Sequence, residues 1–222
     1  MIALVLVSHS QKLAEGTLEL ARQMGGNKVP IALAGGLDDP DNPIGTEPFK
    51  IMEAIQKVYT DNGVLVFMDI GSAIMSTETA IEMLEAAQQE HIRLSEAPLV
   101  EGALAAAAQA MAGGNLQECE REALNAYKQK ARQINPDAAT SDAPVAEKPE
   151  TTGENAQSFT LAMPNPHGLH ARPATRLIAL IKQFNVNAQL TYKKRTVPAT
   201  SMSQVATLGV RQGEEVRFDL SG

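Results

Sequence analysis

Two histidines in this sequence stand where an imidazole can act as a nucleophile. His9 directly follows an apolar run that predicts a strand, and Asp69 directly follows another such run. His170 lies just before the first turn of a predicted helix that contains Arg172. A neutral imidazole has one protonated nitrogen and one free nitrogen, and the free nitrogen can attack an electrophile. Both histidines are therefore candidate nucleophiles.

The residues around His9 suit an imidazole that carries phosphate. If the two strands are neighbours, the Asp69 carboxylate can accept the proton-bearing nitrogen of His9 and fix its tautomer. Gly71 and Ser72, at the start of the next helix, would supply N–H groups and a hydroxyl to phosphate oxygens, and Thr46 is a further candidate. Two other interpretations stay open: Asp69 itself accepts phosphate, or His9 is a surface turn residue and Asp69 a helix N-cap.

The segment 166–174 places His170 at the positive end of a helix. Gly168 predicts a turn, and Pro173 is tolerated in the first helical turn because an amide there has no intrahelical acceptor. Free N–H groups and the Arg172 guanidinium next to His170 suit a dianionic group such as phosphate. The alternative is a histidine in a turn that caps an ordinary amphipathic helix.

Strands alternate with helices along residues 1–135, which predicts an α/β domain with a parallel sheet covered on both faces. We expect strands near 2–7, 28–33, 64–68 and 92–95, and helices near 13–24, 48–60 and 74–84. Two Ala-rich helices follow, the second opening at Asn115 with Glu118 in capping-box position. Such folds bind ligands beyond the carboxyl ends of the strands, near a switch in strand order, which is where His9 and Asp69 lie.

The remaining residues divide into a linker and a second domain. Residues 136–157 are rich in Pro, Ala, Thr, Ser, Asp and Glu, which predicts a flexible linker. Residues 158–222 predict an α+β open-faced sandwich, with strands near 159–163, 188–193, 196–199 and 216–220. The helix after His170 and a short helix from Ser201 complete this predicted domain.

The composition excludes several classes of protein. The apolar run over residues 1–7 is too short for a signal peptide, and Glu101 interrupts the stretch nearest to membrane-spanning length. The single cysteine, Cys119, excludes an intrachain disulfide framework. Basic residues form no run interleaved with aromatics, as nucleic-acid binding would require. We expect a cytoplasmic protein without a metal site, a membrane segment or a nucleic-acid partner.

Several motifs resemble parts of the bacterial phosphoenolpyruvate:sugar phosphotransferase system. Residues 168–174, Gly-Leu-His-Ala-Arg-Pro-Ala, are similar to the active loop of the histidine phosphocarrier HPr. Residues 5–10 and 69–72 resemble the mannose-family IIA domains, in which the strand-end His carries phosphate and the Asp partners it. With segments 38–46 and 97–102, the chain resembles the phosphoryl-donor subunits of phosphotransferase-dependent dihydroxyacetone kinases, which join a IIA-like domain to an HPr-like domain.

The resemblance implies a route for phosphate. It would pass from phosphoenolpyruvate through Enzyme I and HPr, travel on this chain as phosphohistidine at His9 and His170, and reach ADP held by a nucleotide-binding partner subunit. The chain itself would bind no cofactor. The IIA family also implies a homodimer, and the small residues of segment 102–114 would permit close helix packing.

Other features of the sequence limit this assignment. His91 and His167 match no phosphorylated position of the family, and Ser201 aligns with the regulatory serine of some HPr proteins but also fits a plain N-cap. HPr domains finish with a helix across the sheet, whereas this sequence stops at Gly222, so we expect that helix to be lacking. A IIA component of a mannose-family sugar permease and a phosphorylation-dependent regulatory protein stay open as alternatives.

Overall fold

The computed structural model describes residues 1–134, 157–166, 168–169, 171–184, 186–206 and 208–222. The chain divides into two compact units, Met1–Tyr127 and Lys128–Gly222. In the described ranges, no helix is both long enough and apolar enough to cross a membrane.

The first unit contains a four-stranded parallel sheet with the strand order β2-β1-β3-β4. The strands are β1 (Ala3–Ser8), β2 (Ile31–Gly35), β3 (Val64–Met68) and β4 (Ile92–Ser95). Every residue of β1 and β3 is buried, as expected for central strands of a parallel sheet that is covered on both faces. The predicted α/β fold class is confirmed.

Helices cover both faces of this sheet, and alternate residues of β1 divide its core into two clusters. Leu4 and Leu6 pack with residues of α1 (Gln11–Gly25), α5 (Leu99–Met111) and α6 (Leu116–Ile134). Val5 and Val7 pack on the opposite face with residues of α2 (Pro48–Val58) and α3 (Ser72–Glu82). A short helix, α4 (Ala86–Gln89), precedes β4. Each fully buried Val or Leu contributes about 1.5–3 kcal/mol, so the strands that carry the site are firmly held.

The small residues of α5 pack inside the first unit. A Cβ added to Gly102 would lie 2.7 Å from the Ala97 Cβ and 3.0 Å from the Phe67 ring, so a larger residue at this position would force both neighbours to shift. Four alanines of the helix belong to the same core as Phe67: Ala103, Ala106, Ala107 and Ala110. The close packing that segment 102–114 permits is therefore used within one chain, and the homodimer stays a prediction.

The second unit contains a four-stranded antiparallel sheet with the strand order β5-β8-β6-β7. The strands are β5 (Gln157–Ala162), β6 (Asn187–Tyr192), β7 (Arg195–Pro198) and β8 (Glu215–Ser221), and the helices are α7 (Ala171–Ile181) and α8 (Met202–Ala206). Buried residues of both helices and of the sheet form its interior, among them Ile178, Leu190 and Val205. The predicted α+β class of this part is confirmed.

Most element boundaries agree with the prediction, and the clearest difference is β2. It begins at Ile31 and extends to Gly35, because it pairs in parallel with β1 as far as the partners Ser8 and Gly35. Residues 26–30 instead form the return from α1, where Gly26 has a φ of 60°. The predicted linker lies almost entirely in residues 135–156, outside the described residues, so the domain bounds 1–135, 136–157 and 158–222 stay predictions.

Candidate functional site

The two central strands bring His9 and Asp69 together. β1 and β3 are parallel neighbours, with Val7 paired to Met68, so the residues that follow both strands emerge side by side. β2 lies on the other side of β1, and the strand order therefore switches between β1 and β3. This is the position at which ligands bind in open α/β sheets.

Asp69 is bonded to His9 by both carboxylate oxygens. Its Oδ1 lies 2.8 Å from His9 Nδ1, and its Oδ2 accepts a 2.8 Å hydrogen bond from the backbone N–H of His9. Ser8 Oγ donates to Oδ2 at 2.9 Å, and the Ile70 N–H donates to Oδ1 at 2.9 Å. The side chains of His9 and Asp69 are 26% and 18% exposed. The carboxylate is thus fully engaged, while the imidazole still reaches the surface.

These bonds favour an ionised Asp69 and the His9 tautomer that carries its proton on Nδ1. Partial burial by itself raises the pKa of Asp69, but the hydrogen bonds from the His9 backbone, the His9 side chain and Ser8 outweigh it, so the pKa lies below its usual range. An ionised carboxylate can only accept, and Nδ1 of His9 must therefore carry the proton. The lone pair of the neutral imidazole is then on Nε2, the outward nitrogen.

Ser72 occupies the approach to this lone pair. Its Oγ lies 2.7 Å from His9 Nε2, and since Nε2 has no proton in this tautomer, the hydroxyl is the donor. Ser72 is the first residue of α3, directly after Gly71 with its φ of 61°. Phosphorylation of Nε2 requires the hydroxyl to turn away. The same hydroxyl and the N-terminal N–H groups of α3 can then donate to phosphate oxygens.

The loop after β2 is anchored beside His9, but Thr46 does not touch the imidazole. The Gly45 N–H donates to the His9 carbonyl at 2.9 Å, and the Gly36 N–H donates to the Ser8 carbonyl at 3.3 Å. Thr46 Oγ1 lies 2.9 Å from Ser76 Oγ, one turn along α3 from Ser72. The pair joins the loop to α3, and a phosphate contact of Thr46 stays a prediction.

Sequence reasoning missed one residue of this site, Ser8. Its hydroxyl donates to Asp69 and accepts a 3.0 Å bond from the Ser10 N–H, so it ties the strand end to the carboxylate. A hydroxyl at the last position of a buried strand, directly before a candidate histidine, was the available signal. In the part of the chain that the structure describes, no group of three His, Cys, Asp or Glu residues is placed to hold a metal ion.

Around the second predicted site, at His170, the structure describes the preceding turn and the following helix but not the histidine. His170, His167 and the side chain of Arg172 lie outside the described residues. Between the two histidines, the Gly168 N–H donates to the Asn165 carbonyl at 2.9 Å, and α7 begins at Ala171 as predicted. Gly168 has a φ of 72°, and a Cβ there would lie 2.1 Å from the Val210 carbonyl oxygen. The predicted turn before the helix is present.

Two other polar residues have structural roles. Ser201 is buried and its Oγ accepts a 3.4 Å bond from the Gln204 N–H at the start of α8, which is the geometry of an N-cap. The His91 ring lies edge-on to Tyr59, with ring centroids 6.3 Å apart. Regulation through Ser201 stays a prediction, and it would require this side chain to become accessible.

Comparison with known proteins agrees with this geometry. The model of a family described as the PTS system fructose IIA component, EIIA-man, matches residues 3–120. The chain belongs to this family. A second model, the PTS HPr component phosphorylation site, matches residues 157–222. The resemblance of the sequence to mannose-family IIA domains and to HPr is thus confirmed. The chain contains a IIA module followed by an HPr-like module.

Individual proteins also resemble this chain, one of them over its full length. A Pantoea ananatis protein, "PEP-dependent dihydroxyacetone kinase, phosphoryl donor subunit DhaM", is 44% identical over 225 residues, which is 100% of this chain and 47% of the relative. A Listeria innocua protein, the corresponding subunit of "PEP-dependent dihydroxyacetone kinase 2", is 39% identical over 127 residues, 57% of this chain and 100% of the relative. A crystal structure of a protein of unknown function, EF1359, is 40% identical with a TM-score of 0.49, covering 56% of this chain and 94% of that one. The chain spans about half the length of the Pantoea relative.

Proposed function

We propose that this chain is a phosphohistidine carrier that donates phosphate to a dihydroxyacetone kinase. The observation that carries the proposal is the pair of hydrogen bonds on the His9 ring. Asp69 holds the proton on Nδ1 at 2.8 Å, and this leaves the lone pair of Nε2 at the exposed edge of the site. The names of the Pantoea and Listeria relatives supply the acceptor, the dihydroxyacetone kinase system.

The geometry supports a transfer in which His9 Nε2 attacks the phosphorus of a phosphorylated donor. The donor leaves as the bond to Nε2 forms, and the positive charge that develops on the imidazole is balanced by the Asp69 carboxylate. The Ser72 hydroxyl and the first N–H groups of α3 stabilise the phosphate oxygens. In the second step the phosphoryl group passes to ADP on a nucleotide-binding partner subunit. Enzyme I and HPr are the proposed donors, and His170 is the proposed carrier of the HPr-like module.

Labelling with radioactive phosphoenolpyruvate, Enzyme I and HPr tests the carrier role. We compare the unaltered chain with His9→Ala, His170→Ala and the double variant. Phosphohistidine is labile in acid and persists in alkali, whereas aspartyl phosphate does not survive alkali. We expect alkali-stable label that falls in each single variant and disappears in the double variant. Label that is unchanged by His9→Ala would refute His9 as a carrier, and alkali-labile label lost in Asp69→Ala would make Asp69 the acceptor.

A second assay identifies the acceptor. The labelled chain is mixed with the nucleotide-binding subunit of a dihydroxyacetone kinase, either loaded with ADP or stripped of nucleotide. We expect loss of label from His9 only with the ADP-loaded subunit, and production of dihydroxyacetone phosphate when the substrate-binding subunit is added. Transfer to a sugar-permease IIB component, without transfer to bound ADP, would assign the chain to a permease instead.

A further inference from the structure

The three side chains of the His9 site form a continuous hydrogen-bonded series. Asp69 Oδ1 lies 2.8 Å from His9 Nδ1, and His9 Nε2 lies 2.7 Å from Ser72 Oγ. A carboxylate, an imidazole and a serine hydroxyl are therefore joined in the order found in serine hydrolases on several unrelated folds. Phosphate carriage uses the imidazole as the nucleophile and gives the serine only a supporting role.

The protonation states in this series suit a nucleophilic serine. Asp69 accepts hydrogen bonds that lower its pKa, so the Nδ1 proton of His9 is held on the inner side of the ring. The Nε2 lone pair consequently faces Ser72 Oγ, which donates its proton along the 2.7 Å bond. A general base must lie within hydrogen-bond reach of the proton that it takes, and this distance fulfils that condition.

The surroundings of Ser72 can accommodate a small acyl group. Ser72 is exposed and is the first residue of α3, where its backbone N–H has no acceptor within the helix and can serve a developing oxyanion. Two apolar side chains close to it in sequence, Ile70 and Met75, are 78% and 68% exposed. Ester substrates with short acyl chains would gain apolar contact there without needing an enclosed cavity.

We propose that the unphosphorylated chain has a second activity, the hydrolysis of small activated esters with Ser72 as nucleophile. Ser72 Oγ attacks the ester carbonyl carbon while its proton moves to His9 Nε2. The tetrahedral intermediate expels the alcohol, which takes that proton, and an acyl ester remains on Ser72. Water then attacks this ester, giving its proton to Nε2, and the carboxylic acid leaves as Oγ recovers the proton.

This activity excludes phosphate carriage at the same moment. Nε2 bonded to phosphorus has no lone pair and cannot accept the Ser72 proton. Phosphorylation of His9 would therefore switch ester hydrolysis off, and loss of the phosphate would restore it. At any moment His9 Nε2 either carries phosphate or can accept the Ser72 proton, so phosphate carriage and ester hydrolysis exclude each other.

The test uses the full chain with p-nitrophenyl acetate and with a fluorophosphonate probe. We expect release of nitrophenol, an acetyl group mapped to Ser72 by peptide mass spectrometry, and fluorophosphonate on the same residue. Ser72→Ala should lose the label and retain only the slow hydrolysis of a free imidazole, a decrease of about 10²–10⁴-fold. Thr79→Ala is the matched control, since this exposed hydroxyl on the same helix bonds to the Met75 carbonyl and not to His9.

Two outcomes would overturn the proposal. In one, the acetyl group is found on His9 and not on Ser72, and Ser72→Ala hydrolyses the ester as fast as the unaltered chain. In the other, the fluorophosphonate labels no residue of a correctly folded protein. A further measurement uses only the unaltered chain, so it does not depend on whether a variant folds. Prior incubation with phosphoenolpyruvate, Enzyme I and HPr should abolish fluorophosphonate labelling of Ser72, because phosphorylated Nε2 cannot accept the serine proton.

Discussion

At the scale of single residues, the contacts of Asp69 bear on what His9 can do, since both carboxylate oxygens bond to His9. The alternative of a plain helix N-cap does not describe Asp69, because the N-cap of α3 is Gly71. Three of the four hydrogen bonds that its carboxylate accepts come from Ser8 and His9, and the fourth comes from the Ile70 N–H. A carboxylate that accepts this many bonds is held in place and weakened as a nucleophile. The arrangement therefore favours Asp69 as the residue that orients the imidazole.

The first prediction concerns phosphate transfer in Asp69→Asn. The amide has the shape of the carboxylate but carries no charge, and its NH2 group can force His9 into the other tautomer. We expect phosphorylation of His9 to slow by about 10²–10⁴-fold while the fold is kept. Rapid-quench labelling measures the rate, and circular dichroism checks the fold. An unchanged phosphorylation rate in a folded variant would show that Asp69 does not assist the transfer.

The second prediction concerns stability and pH. The folded-state pKa of Asp69 is depressed, so its ionised form stabilises the fold at pH values above about 3.9, the ordinary pKa of an aspartate. That contribution is lost as the pH falls through the lower, folded-state pKa. We expect Asp69→Asn to unfold at a lower temperature than the unaltered chain at pH 7, with the difference shrinking below about pH 4. Asp41→Asn, in the exposed loop, is the control, and a pH-independent difference would contradict the prediction.

At the scale of elements, local sequence signals predicted most of the fold. Short apolar runs predict the buried strands β1 and β3. The capping-box pattern predicts the start of α6, where Asn115 and Glu118 exchange two hydrogen bonds of 2.9 and 3.0 Å. The short helix α4 has too few residues to leave a periodic pattern, and it was missed.

The site was predictable only in part. The positions of His9 and Asp69 at strand ends follow from the alternation of strands and helices. Three contacts depend on how side chains from separate elements meet: Ser72 Oγ with His9 Nε2, Ser8 with Asp69, and Thr46 with Ser76. No local signal encodes such distances, and sequence reasoning could name Ser72 and Thr46 but not their partners.

The third prediction concerns the turn that precedes α7. Gly168 combines a φ of 72° with a position where a Cβ would lie 2.1 Å from the Val210 carbonyl oxygen. Gly168→Ala must therefore displace the turn or the segment around Val210, and we expect a loss of more than about 2 kcal/mol in the free energy of unfolding of the second unit. Gly213→Ala is the matched control, since Gly213 has a φ of 79° but open space around it. Chemical denaturation measures the free energy of unfolding of both variants. Equal decreases would show that the clash at residue 168 adds little to the cost of a positive φ.

At the scale of the whole molecule, the charges of the two modules are opposite. Residues 1–135 contain ten Lys and Arg against eighteen Asp and Glu, a net charge of −8. Residues 158–222 contain eight basic against three acidic residues, a net charge of +5. Opposite net charges speed the encounter of two protein surfaces, and the covalent connection raises their effective concentration. On these two grounds we expect phosphate to pass from His170 to His9 within one chain.

The last prediction is that this internal transfer occurs and is sensitive to salt. Enzyme I is supplied without free HPr, and label on His9 is followed in the unaltered chain and in His170→Ala. We expect label to reach His9 only when His170 is present, and more slowly as salt is raised, because at physiological ionic strength exposed charges are screened beyond about 8 Å. Arg217→Gln is a charge control on the sheet of the second unit, where Arg217 pairs with Asp219, and we expect it to change the rate little. Label that reaches His9 equally fast in His170→Ala would refute internal transfer. Enzyme I or another carrier would then phosphorylate His9 directly.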